Sequence, residues 1–283
     1  MSQLKNVKAE GGTPKPNTIY QGDCIKVMQK WKSNSIDACI TDPPYNMSKK
    51  NGLGWAFSKH ITMQEEWDRF SKDDYYKFTH DWLREVVRVV KPNGNIFVFG
   101  SFHNIYLIGF LLQNVFDRKI INSIVWFKPN AQPNITCRMF TESSEQIIWA
   151  CNNPKDKAKK WCFNYDVAKK LNEGKQMRNV WQIEKKEGKT EIWENPVTPR
   201  KEKEFGAHPT QKPISVLERI MLTATEKTNK RADLVLDCFG GAGSTAVAAK
   251  NAGRKWVLIE KDANYSKIAK KRIENSKIQN KLL

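Results

Sequence analysis

The chain has 283 residues, 40% of them hydrophobic and 11% aromatic, enough to bury the core of one large α/β domain or two small ones. Its formal net charge of +18 argues against a small neutral substrate as the whole story and for a polyanion partner, although a lysine-rich codon usage would give the same surplus. No apolar run is long enough to cross a membrane and the N-terminus lacks a signal-peptide core. Six cysteines without C-x-x-C spacing and four scattered histidines argue against a metal or disulfide framework, and a cytoplasmic setting fits.

Residues 1–17, rich in Gly, Pro and Lys, predict a loose arm before a domain spanning 18–283. A short strand is expected at 18–20, a helix at 25–31 and a strand at 36–41. Residues 46–71 have no clean period and predict a mobile lid loop. Ser71 opens a helix carrying Phe78, Trp82, Val86, Val89 and Val90 at helical spacing, which stops at residues 91–94. The apolar run at 95–100 predicts a strand covered on both faces, followed by a helix at about 104–113 and strands at 120–127 and 146–150. The lysine-rich stretch from 152 to 205 predicts an insertion carrying specificity, with the whole recognition region placed at about 129–205. Helix 214–227, strand 234–238, helix 244–251, strand 256–260 and a basic terminal helix complete the chain. Strands alternating with helices imply a mostly parallel sheet with helices on both faces.

Two stretches carry chemistry. Residues 234–246 (LVLDCFGGAGSTA) are a strand, a glycine turn and a helix start in which Gly241, Gly243 and Ala246 satisfy G-x-G-x-x-A. Glu260 closes the next strand 19 residues after Gly241, where an acid can accept from both ribose hydroxyls of a nucleoside cofactor. Asp237 would repel a pyrophosphate but hold a cationic amino acid portion, and Ser244 and Thr245 add hydroxyls at the helix start. S-adenosylmethionine suits these residues better than NAD; a tight turn with a chance acid is the plain alternative.

The second stretch is Asp42-Pro43-Pro44-Tyr45 at the end of a buried strand. An exocyclic amine on a nucleobase is a poor nucleophile because its lone pair is delocalised into the ring. Acceptors for both of its N–H groups, the Asp42 carboxylate and the Pro43 carbonyl, would pull the nitrogen toward tetrahedral geometry. The prolines fix φ and bring no competing N–H, and Tyr45 offers a face on which an extruded base can stack. Alone, the four residues also suit an ordinary turn.

Together these motifs resemble the amino-group DNA methyltransferases of the permuted β type, in which the catalytic motif precedes the cofactor loop. Asp42–Tyr45 matches the catalytic motif and Phe239 to Gly243 the F-x-G-x-G loop. Gly22-Asp23-Cys24 matches a segment that contacts the cofactor's adenine, and residues 208–213 (HPTQKP) match the H-P-T-x-K-P segment. The resemblance implies a Rossmann-like sheet of about seven strands, S-adenosylmethionine as donor and DNA as acceptor. Asp rather than Ser at position 42 favours N6-adenine over N4-cytosine. It extends the cofactor-binding set to Asp23, Cys24, Asp42, His208, Thr210, Lys212, Asp237, Phe239, Gly241, Gly243, Ser244, Thr245, Glu260 and Lys261. Residues 129–138, 164–166 and 176–181 are similar to GATC-type adenine methylases of restriction systems, so a cognate endonuclease is a candidate partner; the β-type resemblance makes a homodimer a further candidate.

Lys212 near a helix start hints at an anionic partner such as the methionine carboxylate. Lys49, Lys50 and Lys59 are candidate phosphate or groove contacts, and Trp55 in the same loop stays unassigned. Arg138, beside Asn134 and Thr136, is the candidate for reading guanine. His208 is expected to fix loop geometry or touch the cofactor rather than act as a base. Trp126 and Phe127 are expected in the core. No metal is expected. The alternatives are N4-cytosine methylation, methylation of RNA or protein glutamine, and a non-catalytic DNA-binding protein with a relict cofactor fold.

Overall fold

The computed structural model describes residues 11–47, 68–128, 131, 133–134, 137–154, 156–158, 160–182, 198, 200–206, 208 and 210–276. Eight strands form one sheet: β1 (Thr18–Gln21), β2 (Ile36–Thr41), β3 (Val90–Gly100), β4 (Lys119–Phe127), β5 (Ser144–Cys151), β6 (Val180–Gln182), β7 (Leu234–Asp237) and β8 (Lys255–Glu260), in the order β1-β8-β7-β2-β3-β5-β4-β6. All neighbouring pairs are parallel except those made by β5, which runs against both β3 and β4.

Alternation along the strands divides the core in two. Ile40, Phe97, Phe99 and Trp149 pack with α5 (Ile214–Ala224), α6 (Ser244–Asn251) and α7 (Ala263–Asn275). Cys39, Ile96, Val98 and Leu236 pack with α1 (Cys24–Met28), α2 (Lys72–Val89) and α3 (Ile105–Phe110) on the opposite face. Continuous apolar runs in β2, β3 and β7 are what burial on both faces requires.

Several expectations shift. The sheet has one strand more than the seven expected, because β6 adds to the edge through Val125–Val180 pairing. Span 129–205 is not wholly an insertion: it contains β5, a central strand, together with β6 and α4 (Tyr165–Leu171), whose Ala168 is buried. Residues 11–17 are not a loose arm, since Gly12 bridges Trp31 and the Asn17 amide donates to the Trp256 carbonyl. β3 begins at Val90 rather than 95, with a register shift between Ile36 and Ala38 accommodating the Pro92–Gly94 stretch. The helix expected at 104–113 closes in a π-helical turn at residues 111–115, and α5 ends three residues early. Trp126 is buried in the core as expected.

Topology fixes where chemistry can occur. β2 and β7 are neighbours, yet the chain leaves β2 toward β3 and leaves β7 toward β8, so a crevice opens between their carboxyl ends. β1, β3 and β8 end at the same rim. Reversed β5 delivers its first residues there, with Gln146 opposite Gly100.

Candidate active site

A cavity of about 1200 Å³ occupies this rim. It is lined by the ends of β1 (Gly22 to Cys24), β2 (Thr41 to Tyr45), β7 (Asp237 to Ala242) and β8 (Ile259 to Asp262), and by His208, Thr210, Lys212, Ser244 and Thr245. The catalytic and cofactor candidates from the two motifs therefore meet in one space, although about 200 residues separate them in sequence.

Asp237 ties the halves together. Thr41 Oγ1 donates to its Oδ1 (2.8 Å), Thr245 Oγ1 to its Oδ2 (2.7 Å) and the Phe239 amide to Oδ1 (3.0 Å). Asp237 is 4% exposed, and burial pushes its carboxyl up to about 6 against those three donors. It lines the cavity but also clamps Thr41, and with it Asp42, beside the glycine turn. Ser244 likewise serves the fold, accepting from buried Arg272 at 3.1 Å.

The glycine turn needs its residues. Gly241 and Gly243 sit at φ +48° and +80°, and a Cβ on Gly243 would lie 2.9 Å from that of Ala269. The Gly241 amide donates to Glu260 Oε2 (2.6 Å) and the Asp262 amide to Oε1 (2.7 Å), so Glu260 braces the turn, and a carboxylate oxygen has further lone-pair capacity for hydroxyls. Phe239 packs edge-on against Trp82 at 5.3 Å. Asp23 caps α1 through the Lys26 amide, and the Gly22 amide holds that turn to the Glu260 carbonyl.

His208 Nδ1 accepts from the Thr210 amide at 3.3 Å, its ring meets Tyr265 at 4.4 Å, and it also lines the cavity. Burial and nearby Lys212 push the imidazole down to about 4, so it is neutral at physiological pH.

The Asp42 carboxylate has two donors. Tyr45 Oη gives one hydrogen bond to Oδ1 (2.7 Å) and Lys212 Nζ another to Oδ2 (2.5 Å). Lys212 is 7% exposed and its remaining acceptors are Glu145 Oε2 (3.4 Å) and the Thr210 carbonyl (3.2 Å). An ammonium has three N–H donors, and all three are used within the protein. The anionic partner expected for Lys212 is thus internal, Asp42 and Glu145, not a ligand carboxylate. Glu145 in turn pairs with Lys128 (2.9 Å). Neither Glu145 nor Lys128 was singled out by the sequence, because the strand was expected to start one residue after Glu145.

Around Asp42, burial pushes the carboxyl up while Lys212 opposes it. For Glu145 burial also acts upward, but Lys212 and Lys128 outweigh it and hold the group low. Burial would lower Lys212, and its two carboxylates outweigh that, keeping it protonated.

Tyr75 Oη donates to the Pro44 carbonyl (2.8 Å), which anchors the diproline from α2. The ends of the 46–71 loop meet at the cavity mouth, where Asp68 accepts from the Asn46 and Met47 amides (2.6 and 2.8 Å). Lys49, Lys50, Trp55 and Lys59 lie outside the described residues. Arg138 is exposed, beside the exposed Met139 and Phe140, in the segment leading to cavity-lining Glu142.

The lining fits S-adenosylmethionine. Eight carboxylates (Asp23, Asp42, Asp68, Glu142, Glu145, Asp237, Glu260, Asp262) face five lysines and arginines there, in a chain whose overall charge is +18. Such a lining favours a sulfonium and an ammonium. Glu260 would hold the ribose, with apolar Phe239 and Ile259 nearby for the adenine. No group of metal-binding side chains occurs among the described residues, and no described helix is long and apolar enough to cross a membrane.

Comparison with known proteins gives the same picture. Residues 36–271 match the DNA methylase family of N6 and N4 type. The chain is 39% identical to the type II methyltransferase M2.DpnII of Streptococcus pneumoniae over 258 residues, 90% of this chain and 89% of that one. It is 40% identical to M2.LlaDCHI of Lactococcus lactis subsp. cremoris, covering 90% and 88%. The solved complex of M1.HpyAVI with SAM aligns at a TM-score of 0.61 and 27% identity over 90% of this chain and 98% of that one. The cytosine-N4-specific PvuII DNA methyltransferase shares the fold, with a TM-score of 0.67 at 20% identity over 94% and 89%. The chain belongs to the N6/N4 family of DNA methylases.

Proposed function

We propose that this enzyme transfers the methyl group of S-adenosylmethionine to the N6 amino group of an adenine extruded from DNA, in a GATC sequence, as the modification partner of a restriction endonuclease. The observation that carries the reading is the placement of the Asp42 carboxylate and the stiff diproline on the same cavity as the glycine turn and Glu260. The type II designation of the relatives supports a restriction setting, and the resemblance of residues 129–138 and 176–181 supports GATC. Arg138 is the candidate reader of guanine, with Lys49, Lys50 and Lys59 as phosphate contacts on a lid. A homodimer belongs to the same reading and is checked by light scattering.

When bound, the cofactor supplies an electrophilic methyl on a sulfonium. The chain's own residues prepare the nitrogen. Asp42 accepts one N–H and the Pro43 carbonyl the other, shifting the lone pair out of the ring plane toward the methyl. Pro43 and Pro44 keep that carbonyl in place, and Tyr75 fixes the far side of the pair. After transfer the nitrogen loses one proton, to Asp42 or to water. Lys212 lies 5.4 Å from the Tyr45 ring centroid, so a stacked base uses the face away from it.

Incubation with tritiated S-adenosylmethionine and DNA free of adenine methylation, followed by digestion to nucleosides, tests this. Label in N6-methyldeoxyadenosine is expected, and label in N4-methyldeoxycytidine would overturn the acceptor. Asp42→Ala should lower the transfer rate at saturating cofactor by about a hundred- to a thousandfold, with any change in cofactor affinity followed separately by calorimetry. An unaffected rate would remove Asp42 from the mechanism. Duplexes with single-base changes in GATC test the site.

A further inference from the structure

We infer that Lys212, itself steadied by Glu145, is a positioning residue for methyl transfer that fixes the orientation and charge of the Asp42 carboxylate. The inference rests on the proposed amine-accepting role of Asp42.

The geometry is a row of alternating charges: Asp42, Lys212, Glu145 and Lys128, with contacts of 2.5, 3.4 and 2.9 Å. Each member comes from a different element. Asp42 follows β2, Lys212 precedes α5, Glu145 opens reversed β5 and Lys128 follows β4. The Lys212 ammonium also lies 5.4 and 5.7 Å from the ring centroids of Tyr45 and Phe99. Flanked in this way and with its three donors committed, it has little freedom to swing away.

A carboxylate at the bottom of a cavity would otherwise take up a proton, because burial disfavours its charge. A protonated Asp42 presents an O–H donor where the entering amino group needs an acceptor. Lys212 opposes that on Oδ2, and Tyr45 holds Oδ1. One lone pair on each oxygen is thereby engaged, which leaves the carboxylate oriented and still able to accept from N6. Glu145 works in the opposite sense on Asp42, since it is a second negative charge, while its 3.4 Å contact gives the Lys212 ammonium a second carboxylate partner. The charged groups acting on Asp42 are therefore Lys212 in favour of ionisation and Glu145 against, with Tyr45 as a neutral donor and Lys128 acting through Glu145, while Asp42 itself raises Asp237.

The two charges predict opposite displacements. Single-turnover methylation of duplex DNA is measured from about pH 5 to 9 for the parent, Lys212→Gln, Lys212→Arg and Glu145→Gln, with cofactor affinity followed by calorimetry. Lys212→Gln should slow transfer by about ten- to a hundredfold and move the acidic limb up by about one pH unit or more. Lys212→Arg should recover part of the rate and return the limb toward its original position. Glu145→Gln should move the limb down, with a plateau within about tenfold of the parent. Limbs that stay put, or that move the same way in both Gln variants, overturn the inference, as does loss of cofactor affinity with an unchanged limb in Lys212→Gln. Should Lys212→Gln fail to fold, the direction of the Glu145→Gln limb decides alone. Failure of the parent reading is separately visible, as absence of N6-methyladenine with the unaltered protein.

Discussion

Asp237 shows how one side chain can join two distant stretches of the chain at the cavity. Its donors are two hydroxyls and an amide, none of them charged, and burial pushes it from an ordinary 3.8 up to about 6. The folded state holds the proton more tightly than the unfolded chain, so this group's contribution to stability is complete below the unfolded value and is lost as pH rises through about 6. The integrated loss is about 3 kcal/mol. Asp237→Asn keeps an oxygen for Thr41 and the Phe239 amide, and the Thr245 hydroxyl can turn to accept from the new amide. In urea unfolding, the variant should gain on the parent by about 2 kcal/mol between pH 4 and pH 7, the part of that loss falling in this window. A difference that does not change with pH would show that Asp237 titrates normally. The sequence marked Asp237 as a cofactor ligand because an acid at that strand end repels phosphate. It could not show that Thr41, 196 residues earlier, would hold the same carboxylate, since only the β2–β7 pairing brings them together.

Among the elements, the glycine turn was the most legible. Each step from β7 through α6 to β8 is local, and the conformations at Gly241 and Gly243 are ones that other residues resist. Gly243→Ala should therefore be costly. A left-handed alanine and a Cβ 2.9 Å from that of Ala269 together destabilise by about 2 kcal/mol, a fall in Tm of roughly 4–8 °C. Cofactor affinity should fall with it, because the displaced turn carries the Gly241 amide away from Glu260. Thermal unfolding with and without S-adenosylmethionine measures both, and an unchanged Tm would mean the α6–α7 contact yields freely. Strand β5 was the opposite case. Its apolar centre announced a strand, but its reversed direction, which puts Glu145 at the rim beside Lys212, is a property of pairing with β3 and β4. β6, three residues beside a polar stretch, carries too little pattern to stand out and is set by the neighbouring β4 edge.

At the scale of the whole molecule, two charge distributions of opposite sense coexist. The chain carries +18 overall, while the cavity that fits the cofactor gathers eight carboxylates against five basic side chains. The positive surplus therefore lies outside the cavity, where phosphates can reach it, and the negative excess lies where a small cation must bind. Salt separates the two. DNA binding releases counterions in proportion to the phosphates neutralised, so six or more contacts would weaken it by about a thousandfold between roughly 50 and 200 mM salt. Inside a partly enclosed cavity the carboxylates stand within a few ångströms of the ligand, well under the Debye length of about 8 Å, and are screened far less. S-adenosylmethionine affinity should then change by less than about threefold over the same range. Fluorescence anisotropy with labelled duplex and calorimetry with the cofactor, run in the same buffers, give the two slopes. A shallow DNA slope would mean the lysine surplus reflects composition and not contact, and a steep cofactor slope would mean that the cavity's charges are open to solvent.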